Sequence, residues 1–317
     1  MTPFVVAVTA TRNRPRELAR LLASLEKVKG FEAAVIVDNG GDPETEKVVI
    51  NARLKTCYFA PGENLGCGGG LALAEKTALE KFPALTHIWI LDDDAVVSPD
   101  VLEILLREMQ REAADIACPM IVDERGQVGW FPGLLDHEKF DAIRQPQTPA
   151  EFVAKCGPEP ICFSWSTGVS LLVTRRAIDH LGFHRADFWV RGEDLEFSLR
   201  ITHRRKGIFV PTTTVQHLPP RETPSTADAE MPRHAAMLQN IAYVSIYLPH
   251  GHRILHTIPG NLRRFFRTWP ARDWPQAAFA FWRGAILGRP AGYNDKNSFR
   301  CQFERLHNSK NVNRIIK

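Results

Sequence analysis

No stretch of the 317-residue sequence reaches the roughly 20 consecutive apolar residues that a membrane-spanning helix requires. The six cysteines form no Cys-x-x-Cys pair and no tight metal-binding spacing. The first residues also lack the basic segment and long apolar core of a signal peptide. These absences predict a cytoplasmic protein with reduced thiols, in which any membrane contact is peripheral.

The sequence also has little net charge and no internal repeat. A formal charge of +4 is too small to indicate a nucleic-acid partner without a concentrated basic face, so we expect none. With 44% hydrophobic and 24% charged residues, the chain can bury a sizeable core. Disordered and fibrous classes are therefore excluded.

Short strand-like runs alternate with helical patterns in the first part of the chain. The predicted strands cover residues 4–10, 33–39, 56–60, 86–94 and 115–122. The predicted helices cover residues 15–28, 68–82 and 100–113, the last opened by Ser98 as cap and Pro99 as first residue. This alternation predicts an α/β fold, with a mostly parallel sheet, helices on both faces and ligands at the carboxyl ends of the strands.

Beyond residue 123 the alternation gives way to a loop-rich stretch, 124–160, and then resumes. Strands are predicted at 167–174 and 208–218, with helices at 175–182 and 193–207. A polar, proline-rich segment at 219–232 predicts a mobile loop. We therefore expect two domains, a catalytic one over residues 1–220 and a mainly helical one over 221–317.

Three adjacent carboxylates, Asp92, Asp93 and Asp94, follow the apolar run at the end of one predicted strand. Alternate side chains of an extended backbone point to the same side, so Asp92 and Asp94 can converge on one hard cation while Asp93 points elsewhere. An acidic turn that caps the following helix is the structural alternative.

Three further strand ends carry residues suited to a nucleotide. Hydroxyls and the guanidiniums of Arg12 and Arg14 follow the first strand, where a helix start favours anions. Asp38 follows the second and can accept from a base N–H or a ribose hydroxyl. The loop Glu63 to Gly70, which includes Gly66, suits close approach by a diphosphate, although its glycines equally suit tight helix–strand packing.

The glycine-rich loop does not belong to either common phosphate-binding motif. It lacks the Gly-Lys-Ser/Thr ending of a P-loop, and Leu71 stands where a Gly-x-Gly-x-x-Gly pattern begun at Gly66 requires glycine. A kinase-type or dinucleotide site is therefore disfavoured.

Five segments together resemble the inverting nucleotide-sugar glycosyltransferases of family two, which have the GT-A fold. They occur in the family's order between about Pro3 and Pro219 and read VTATRNRP, VDNG, ENLGCGGG, LDDDAVVSP and WVRGEDLEFSLR. The glycine-rich loop combined with an aspartate triplet is most similar to bacterial galactofuranosyltransferases and rhamnosyltransferases. The QxxRW motif of processive polysaccharide synthases is absent, which disfavours a cellulose- or chitin-type polymerase.

The resemblance assigns roles to individual residues. Asp38 would contact the uracil or ribose, and the other nucleotide contacts would be Thr11, Arg14, Asn64, Gly66 and Asp93. The ligands of a divalent cation, Mn or Mg, would be Asp92, Asp94 and His217. Asp194 would be the catalytic base.

Sugar transfer requires those roles on chemical grounds as well. A cation neutralises the leaving diphosphate, and a base accepts the proton of the attacking hydroxyl. For Asp194 a helix N-cap is the alternative role, with Glu193 as the next candidate base on the acceptor side. His217 can instead be an ordinary surface or core histidine, and Trp165 either stacks on the acceptor sugar or belongs to the core.

The predicted donor is a UDP-sugar such as UDP-galactofuranose, and the predicted acceptor is a hydroxyl of a glycan or a lipid-linked glycan. A dTDP-rhamnose-dependent rhamnosyltransferase is the first alternative. A nucleotidyltransferase is disfavoured because residues 9–15 contain no glycine, and a non-catalytic nucleotide-sugar-binding protein because Asp92, Asp94 and Asp194 are all present.

The C-terminal part is basic and aromatic. Between Gly251 and Pro290 it contains seven arginines and a single acid, Asp273, interleaved with phenylalanines and tryptophans. Such a segment suits the headgroup region of an anionic membrane, here the inner face of the plasma membrane. A packed helical subdomain and an oligomer contact are the alternatives.

Overall fold

The structure, a computed structural model, describes residues 2–135, 148–219, 227–248, 251–255, 257–291 and 314–316. The strands are β1 (Val5–Thr11), β2 (Ala33–Asp38), β3 (Thr56–Phe59), β4 (His87–Leu91), β5 (Ala95–Val97), β6 (Ile116–Val122), β7 (Val128–Trp130), β8 (Gly133–Leu134), β9 (Ile161–Trp165), β10 (Ser170–Thr174), β11 (Gly207–His217) and β12 (Arg314–Ile316). The helices are α1 (Pro15–Leu25), α2 (Pro43–Asn51), α3 (Gly66–Lys81), α4 (Val101–Glu112), α5 (Pro149–Cys156), α6 (Arg175–Leu181), α7 (Glu193–Arg204), α8 (Ala227–Tyr247), α9 (Thr257–Thr268) and α10 (Trp274–Ala285).

All strands belong to one system, with the order β12-β3-β2-β1-β4-β10-β6-β11-β9-β8 and with β5 on β11 and β7 on β6. Strands β3, β2, β1 and β4 are parallel to one another, as are β6 and β11. Strand β10 runs antiparallel between β4 and β6. The carboxyl ends of β1, β2 and β4 therefore open on the same edge, as the alternating pattern predicts.

Two hydrophobic cores cover the two faces of the sheet. One contains the apolar stripe of α1, including Leu18 and Leu22, together with Leu105 of α4. The other contains Ala74 of α3 and Phe197 of α7. The mixed α/β architecture with helices on both faces is confirmed.

Several local predictions are corrected. Helix α4 begins at Val101, because the Ser98 hydroxyl donates to the Thr214 carbonyl of β11 at 2.7 Å instead of capping the helix. The stretch read as loop-rich contains α5, opened by a capping box between Thr148 and Glu151. In the predicted loop at 219–232, residues 220–226 lie outside the described part and α8 begins at Ala227.

The C-terminal helices pack against each other and against the catalytic part. Phe265 and Trp269 of α9 are buried with Leu238 of α8. Phe188, which precedes α7, is buried with Ile241 of α8. Contacts thus cross the boundary expected at residue 220, and the division into two domains stays a proposal.

Among the described residues, cysteines 57, 67, 118, 156 and 162 form no disulfide with one another. Cys301 lies outside the described residues. Within the described part of the chain, no helix combines the length and the hydropathy needed to cross a membrane.

Candidate active site

A cavity of about 680 Å³ opens at the carboxyl ends of β1, β2 and β4. It brings together most of the residues predicted from the sequence, namely Thr11, Arg14, Asn64, Gly66, Asp92, Asp93, Asp94, Glu193, Asp194 and His217. These residues come from β1, the loops after β1 and β4, the start of α3, the start of α7 and the end of β11. Convergence of so many distant segments makes this cavity the candidate active site.

The aspartate triplet forms a tight turn between β4 and β5. The Ala95 N–H donates to the Asp92 carbonyl at 3.1 Å. Asp93 points towards the end of β1, where its carboxylate accepts from the Thr11 hydroxyl at 2.6 Å and from Arg14 at 3.0 Å. Strand β4 ends at Leu91, so the triplet lies in a turn and not on the extended strand assumed from the sequence. Asp93 faces β1, while Asp92 and Asp94 belong to a cluster with His217.

Asp92, Asp94 and His217 form that cluster, with one potential ligand atom from each lying within 4.8 Å of the others. The register of β11 on β5 places His217 opposite Ala95, next to the triplet. The buried Asp94 Oδ1 lies 3.1 Å from His217 Nε2, within ion-pairing distance. Two carboxylates and an imidazole whose ligand atoms converge in this way fit a divalent cation.

Burial and mutual charge control the ionisation of this cluster. Burial and the neighbouring charge of Asp94 raise the pKa of Asp92 to about 7. For Asp94, burial acts in the same direction, but the contacts with His217 and Arg14 outweigh it and lower its pKa. A bound cation would favour the ionised form of Asp92, because its positive charge compensates for the hydration that burial removes.

Asp194 lies in the first turn of α7 and faces the cavity. Its carboxylate accepts from the Leu195 N–H at 2.7 Å and from the Gly168 N–H at 3.0 Å. The N-cap position belongs to Gly192, so Asp194 is not the cap of α7. Burial raises the pKa of Asp194, although its two backbone hydrogen bonds oppose the shift.

Glu193 lies beside it and is more deeply buried. Burial and the charge of Asp194 raise the pKa of Glu193 to about 8. Glu193 is therefore largely protonated at neutral pH, which makes Asp194 the better candidate for a base.

Gly168 lies between two carboxylates of the candidate site. A methyl group at this position would lie 3.3 Å from the Asp194 Cβ and 4.0 Å from an Asp92 carboxylate oxygen. Glycine thus allows the candidate base and a candidate metal ligand to approach the same space. Its position in a short Ser-Thr-Gly turn was the available sequence signal, and it was missed.

Asp38 occupies a different environment from the one expected. Its side chain is fully buried and accepts from the Gly40 and Asp42 N–H groups and from the Tyr58 hydroxyl, at 2.8–3.0 Å. It stabilises the turn after β2 and is not part of the described cavity wall. Asn39, not singled out from the sequence, lines the cavity instead. A contact between Asp38 and the nucleotide stays a prediction.

The glycines at the start of α3 are explained by packing. A methyl group on Gly68 would lie 2.6 Å from the Arg185 carbonyl oxygen, and one on Gly70 would lie 2.8 Å from the Ala10 Cβ. Gly66 has a φ of +72° and lies under Trp189. Close approach of the protein's own segments therefore accounts for this glycine-rich loop, and Gly66 alone of its glycines lines the cavity.

Two tryptophans differ in their relation to the cavity. Trp165, predicted near the acceptor, pairs with Gly133 where β9 runs antiparallel to β8, and it is not part of the described cavity wall. Trp189 lines the cavity and is 39% exposed. Trp189 opens the quoted segment WVRGEDLEFSLR, but sequence reasoning gave it no role of its own. The acceptor role of Trp165 stays a prediction.

Comparisons with known proteins identify what the chain is similar to. The sequence matches the family model "Glycosyl transferase family 2" over residues 6–167 and "Glycosyl transferase family group 2" over residues 87–268. It is 32% identical over 210 residues to the galactofuranosyltransferase GlfT1 of Mycobacterium tuberculosis, an alignment that covers 63% of this chain and 65% of that protein. Against GlfT1 of Mycolicibacterium smegmatis it is 33% identical over 94 residues, covering 29% and 30%. The matched region is thus just under two thirds of the first relative's length.

Solved structures are similar in fold at low sequence identity. Residues 1–349 of S. aureus TarS superpose with a TM-score of 0.60 at 15% identity, covering 90% of this chain and 81% of that one. The same protein in complex with UDP-GlcNAc gives a TM-score of 0.59 at 16% identity, covering 89% and 81%. GalNAc-T7 with UDP, GalNAc and Mn2+ gives 0.57 at 15% identity, covering 90% and 57%. At identities this low, the structural similarity shows the fold alone.

Proposed function

Because this chain belongs to glycosyl transferase family 2 and has the GT-A fold, we propose that it is an inverting glycosyltransferase. It moves a sugar from a nucleoside diphosphate to a hydroxyl of a glycan or a lipid-linked acceptor. One observation carries the proposal: Asp194 lines the same cavity as the cluster of Asp92, Asp94 and His217. A base and a cation site in one cavity are the two components that this transfer needs.

Asp194 provides the base in this mechanism. Backbone N–H groups hold its carboxylate from two sides, so that it faces the cavity in a fixed orientation. It accepts the proton of the acceptor hydroxyl as the hydroxyl oxygen bonds to the anomeric carbon, while the bond from that carbon to the diphosphate oxygen breaks. Attack opposite the leaving group inverts the configuration.

The leaving diphosphate is stabilised at the cluster of Asp92, Asp94 and His217. A divalent cation, Mn or Mg, would be held by Asp92, Asp94 and His217, and when bound it would neutralise the charge of the leaving diphosphate. Arg14 adds a positive charge next to Asp93 and Asp94. The nucleoside would occupy the side of the cavity that Thr11 and Asn64 line.

The donor we propose is UDP-galactofuranose. The support is the 32% identity to proteins named galactofuranosyltransferase. A dTDP-rhamnose donor is the alternative, since the sequence segments are also similar to those of rhamnosyltransferases.

We also propose that the C-terminal helices place the enzyme on an anionic membrane. Phe265 and Trp269 of α9 face inward, which leaves a separate set of apolar side chains on the surface. This set, called here the outer face, consists of Phe266, Trp274, Phe279, Trp282 and Ile286, all 42–64% exposed. The exposed arginines nearest to it in sequence are Arg263, Arg264, Arg267 and Arg272. Exposed aromatic residues combined with arginines are typical of peripheral membrane surfaces.

Slow donor hydrolysis tests the transferase proposal without knowledge of the acceptor. The purified protein is incubated with UDP-galactofuranose or dTDP-rhamnose, with Mn or Mg and with EDTA. We expect release of the nucleoside diphosphate from one donor, loss of release in EDTA, and loss of release in Asp94→Asn. In a parallel incubation with a nucleoside triphosphate, release of pyrophosphate would instead indicate a nucleotidyltransferase. Full activity of the wild type in EDTA would contradict the metal site.

A further inference from the structure

The chain makes an unusual turn directly before Asp194. Trp189 has φ 61° and ψ −72°, and the Val190 N–H donates to the Phe188 carbonyl at 2.8 Å. A three-residue turn with positive φ at its centre is rare and strained. Arg191 also has a φ of 60°. Two non-glycine residues therefore adopt the left-handed region within three positions, and such strain persists only where the surroundings enforce it.

Asn240 of α8 is the side chain that enforces this turn. It is completely buried. Its amide group donates to the carbonyls of Phe188 at 2.9 Å and Arg191 at 2.8 Å, with the Val190 carbonyl at 3.3 Å. Its amide oxygen accepts from the Ala291 N–H at 2.8 Å. Only an uncharged amide supplies donors to the turn and an acceptor to the chain after α10 at the same time.

The turn presents an aromatic ring to the cavity. The Gly68 N–H donates to the Trp189 carbonyl at 3.2 Å, and Gly66 lies against the Trp189 side chain. The indole is still 39% exposed and lines the cavity that contains Asp194. A partly exposed indole in a polar cavity suits the apolar C–H face of a sugar ring.

We propose that Asn240 is a positioning residue, which holds the strained turn so that Trp189 stacks on a sugar ring beside Asp194. This inference rests on the proposed transferase function. The sugar belongs either to the donor or to the acceptor, and the two share the same chemistry. Donor hydrolysis in water and transfer to a glycan acceptor distinguish these sources.

The test compares Asn240→Ala, Trp189→Ala and Trp189→Phe in the full-length chain. We expect Asn240→Ala and Trp189→Ala each to raise the KM of one sugar substrate by about 10–100-fold, because a small displacement of a contact group has effects of that size. If the KM for the donor rises in the hydrolysis assay, Trp189 stacks on the donor sugar. If only the KM for the acceptor rises, in the transfer assay, Trp189 stacks on the acceptor sugar. Trp189→Phe should restore most of the loss, since it retains an aromatic face. Affinity for UDP alone should be unchanged.

Gln239 supplies the matched control. It is the neighbouring buried amide on α8, but it donates to the carbonyls of Arg289 and Pro290 and not to the turn. Gln239→Ala should leave the KM of both substrates unchanged. An equal effect of Gln239→Ala, or additive effects of Asn240→Ala and Trp189→Ala in the double variant, would overturn the proposal.

Hydrogen exchange separates this inference from the proposed function. Amides at 188–192 should exchange faster in Asn240→Ala than in Gln239→Ala, whatever the reaction is. If the wild type hydrolyses no nucleotide sugar while this difference is present, the transferase proposal fails and Asn240 retains its positioning role. If the wild type is active and exchange at 188–192 is the same in both variants, the positioning role is wrong. Should Asn240→Ala not fold, the Trp189 variants still test the stacking contact.

Discussion

The Asp194 carboxylate is held in a fixed orientation and lines the cavity, and a general base requires both. We expect Asp194→Asn to lower kcat by about 10²–10⁴-fold, because the amide cannot accept the proton. Affinity for UDP, measured by calorimetry, should stay within a few-fold. Glu193→Gln is the control, and it should lower kcat by less than about tenfold because Glu193 is already largely protonated at neutral pH, its pKa being about 8. If Glu193→Gln instead lowered kcat more than Asp194→Asn, the base would be Glu193.

The loss of activity at acidic pH depends on protonation of the same carboxylate, Asp194. Burial raises the pKa of Asp194, and the base acts only when it is ionised. Activity should therefore be lost on acidification at a higher pH than an ordinary aspartate would give. UDP binding measured over the same pH range separates protonation of Asp194 from that of the metal ligands. A rate that stays constant down to the ordinary pKa of an aspartate would contradict the assignment.

Strain at Trp189 has a measurable effect on stability. Both Trp189→Ala and Trp189→Gly remove the ring, but only glycine adopts φ 61° and ψ −72° without strain. Strain of this kind costs about 1–3 kcal/mol, and the greater freedom of unfolded glycine offsets about 0.4–1 kcal/mol of that. The glycine variant should therefore have the higher free energy of unfolding, by about 1 kcal/mol. Trp282 within α10 is the control, where alanine should be the more stable replacement.

At the scale of elements, the glycines of α3 and α9 have opposite roles. Alanine normally stabilises a helix by about 1 kcal/mol relative to glycine. Gly260→Ala in α9 should do so, because no atom lies within 4 Å of the added methyl group. Gly68→Ala in α3 should instead destabilise by about 1–3 kcal/mol, because its methyl group would lie 2.6 Å from the Arg185 carbonyl. Urea unfolding midpoints of the two variants test this contrast, and a stabilising Gly68→Ala would show that residues 185–189 move easily.

The elements predicted from sequence are those whose signals are local. The alternation of apolar runs identified β1, β2, β4 and β6, and the stripe of leucines identified α1. Helix α5 was missed although Thr148, Pro149 and Glu151 provided a complete capping signal. Insertion of β10 between β4 and β6 depends on pairing between residues about 80 positions apart, as with Leu172 and Trp89, and no local pattern encodes it.

The residues of the candidate site likewise differ in whether the sequence around them carried a signal. Asp92 was predicted because alternating strands and helices bring strand ends together, whereas Asp194 was predicted from the family resemblance of its segment, and both line the cavity. Trp189 was quoted within WVRGEDLEFSLR without a role, and Asn240 was not singled out, because the contact between this turn and the distant helix α8 leaves no local sequence signal. Asp38 is a strand-end carboxylate whose observed contacts are structural, because it accepts hydrogen bonds from the turn that follows β2.

At the scale of the whole molecule, the outer face should bind membranes through two separable contributions. Arginines near an anionic surface contribute about 1 kcal/mol each, an attraction that salt screens, whereas the apolar side chains add a part that salt does not remove. Sedimentation with anionic vesicles should be strong at low salt and weaker but measurable at high salt. Replacement of Arg263, Arg264 and Arg267 together by Glu should abolish it while donor hydrolysis persists. Wild-type binding by a folded triple variant would assign these helices to packing or to a subunit contact.

The last strand also affects how the protein is handled. Strand β12 runs antiparallel along β3, from Arg314 opposite Tyr58 to Ile316 opposite Thr56. Without it, β3 would become an edge strand with unpaired N–H and C=O groups, and such edges recruit strands from other molecules. Shortening the chain before Arg314 should therefore promote self-association. Purification tags are better fused ahead of β1 than directly after this strand.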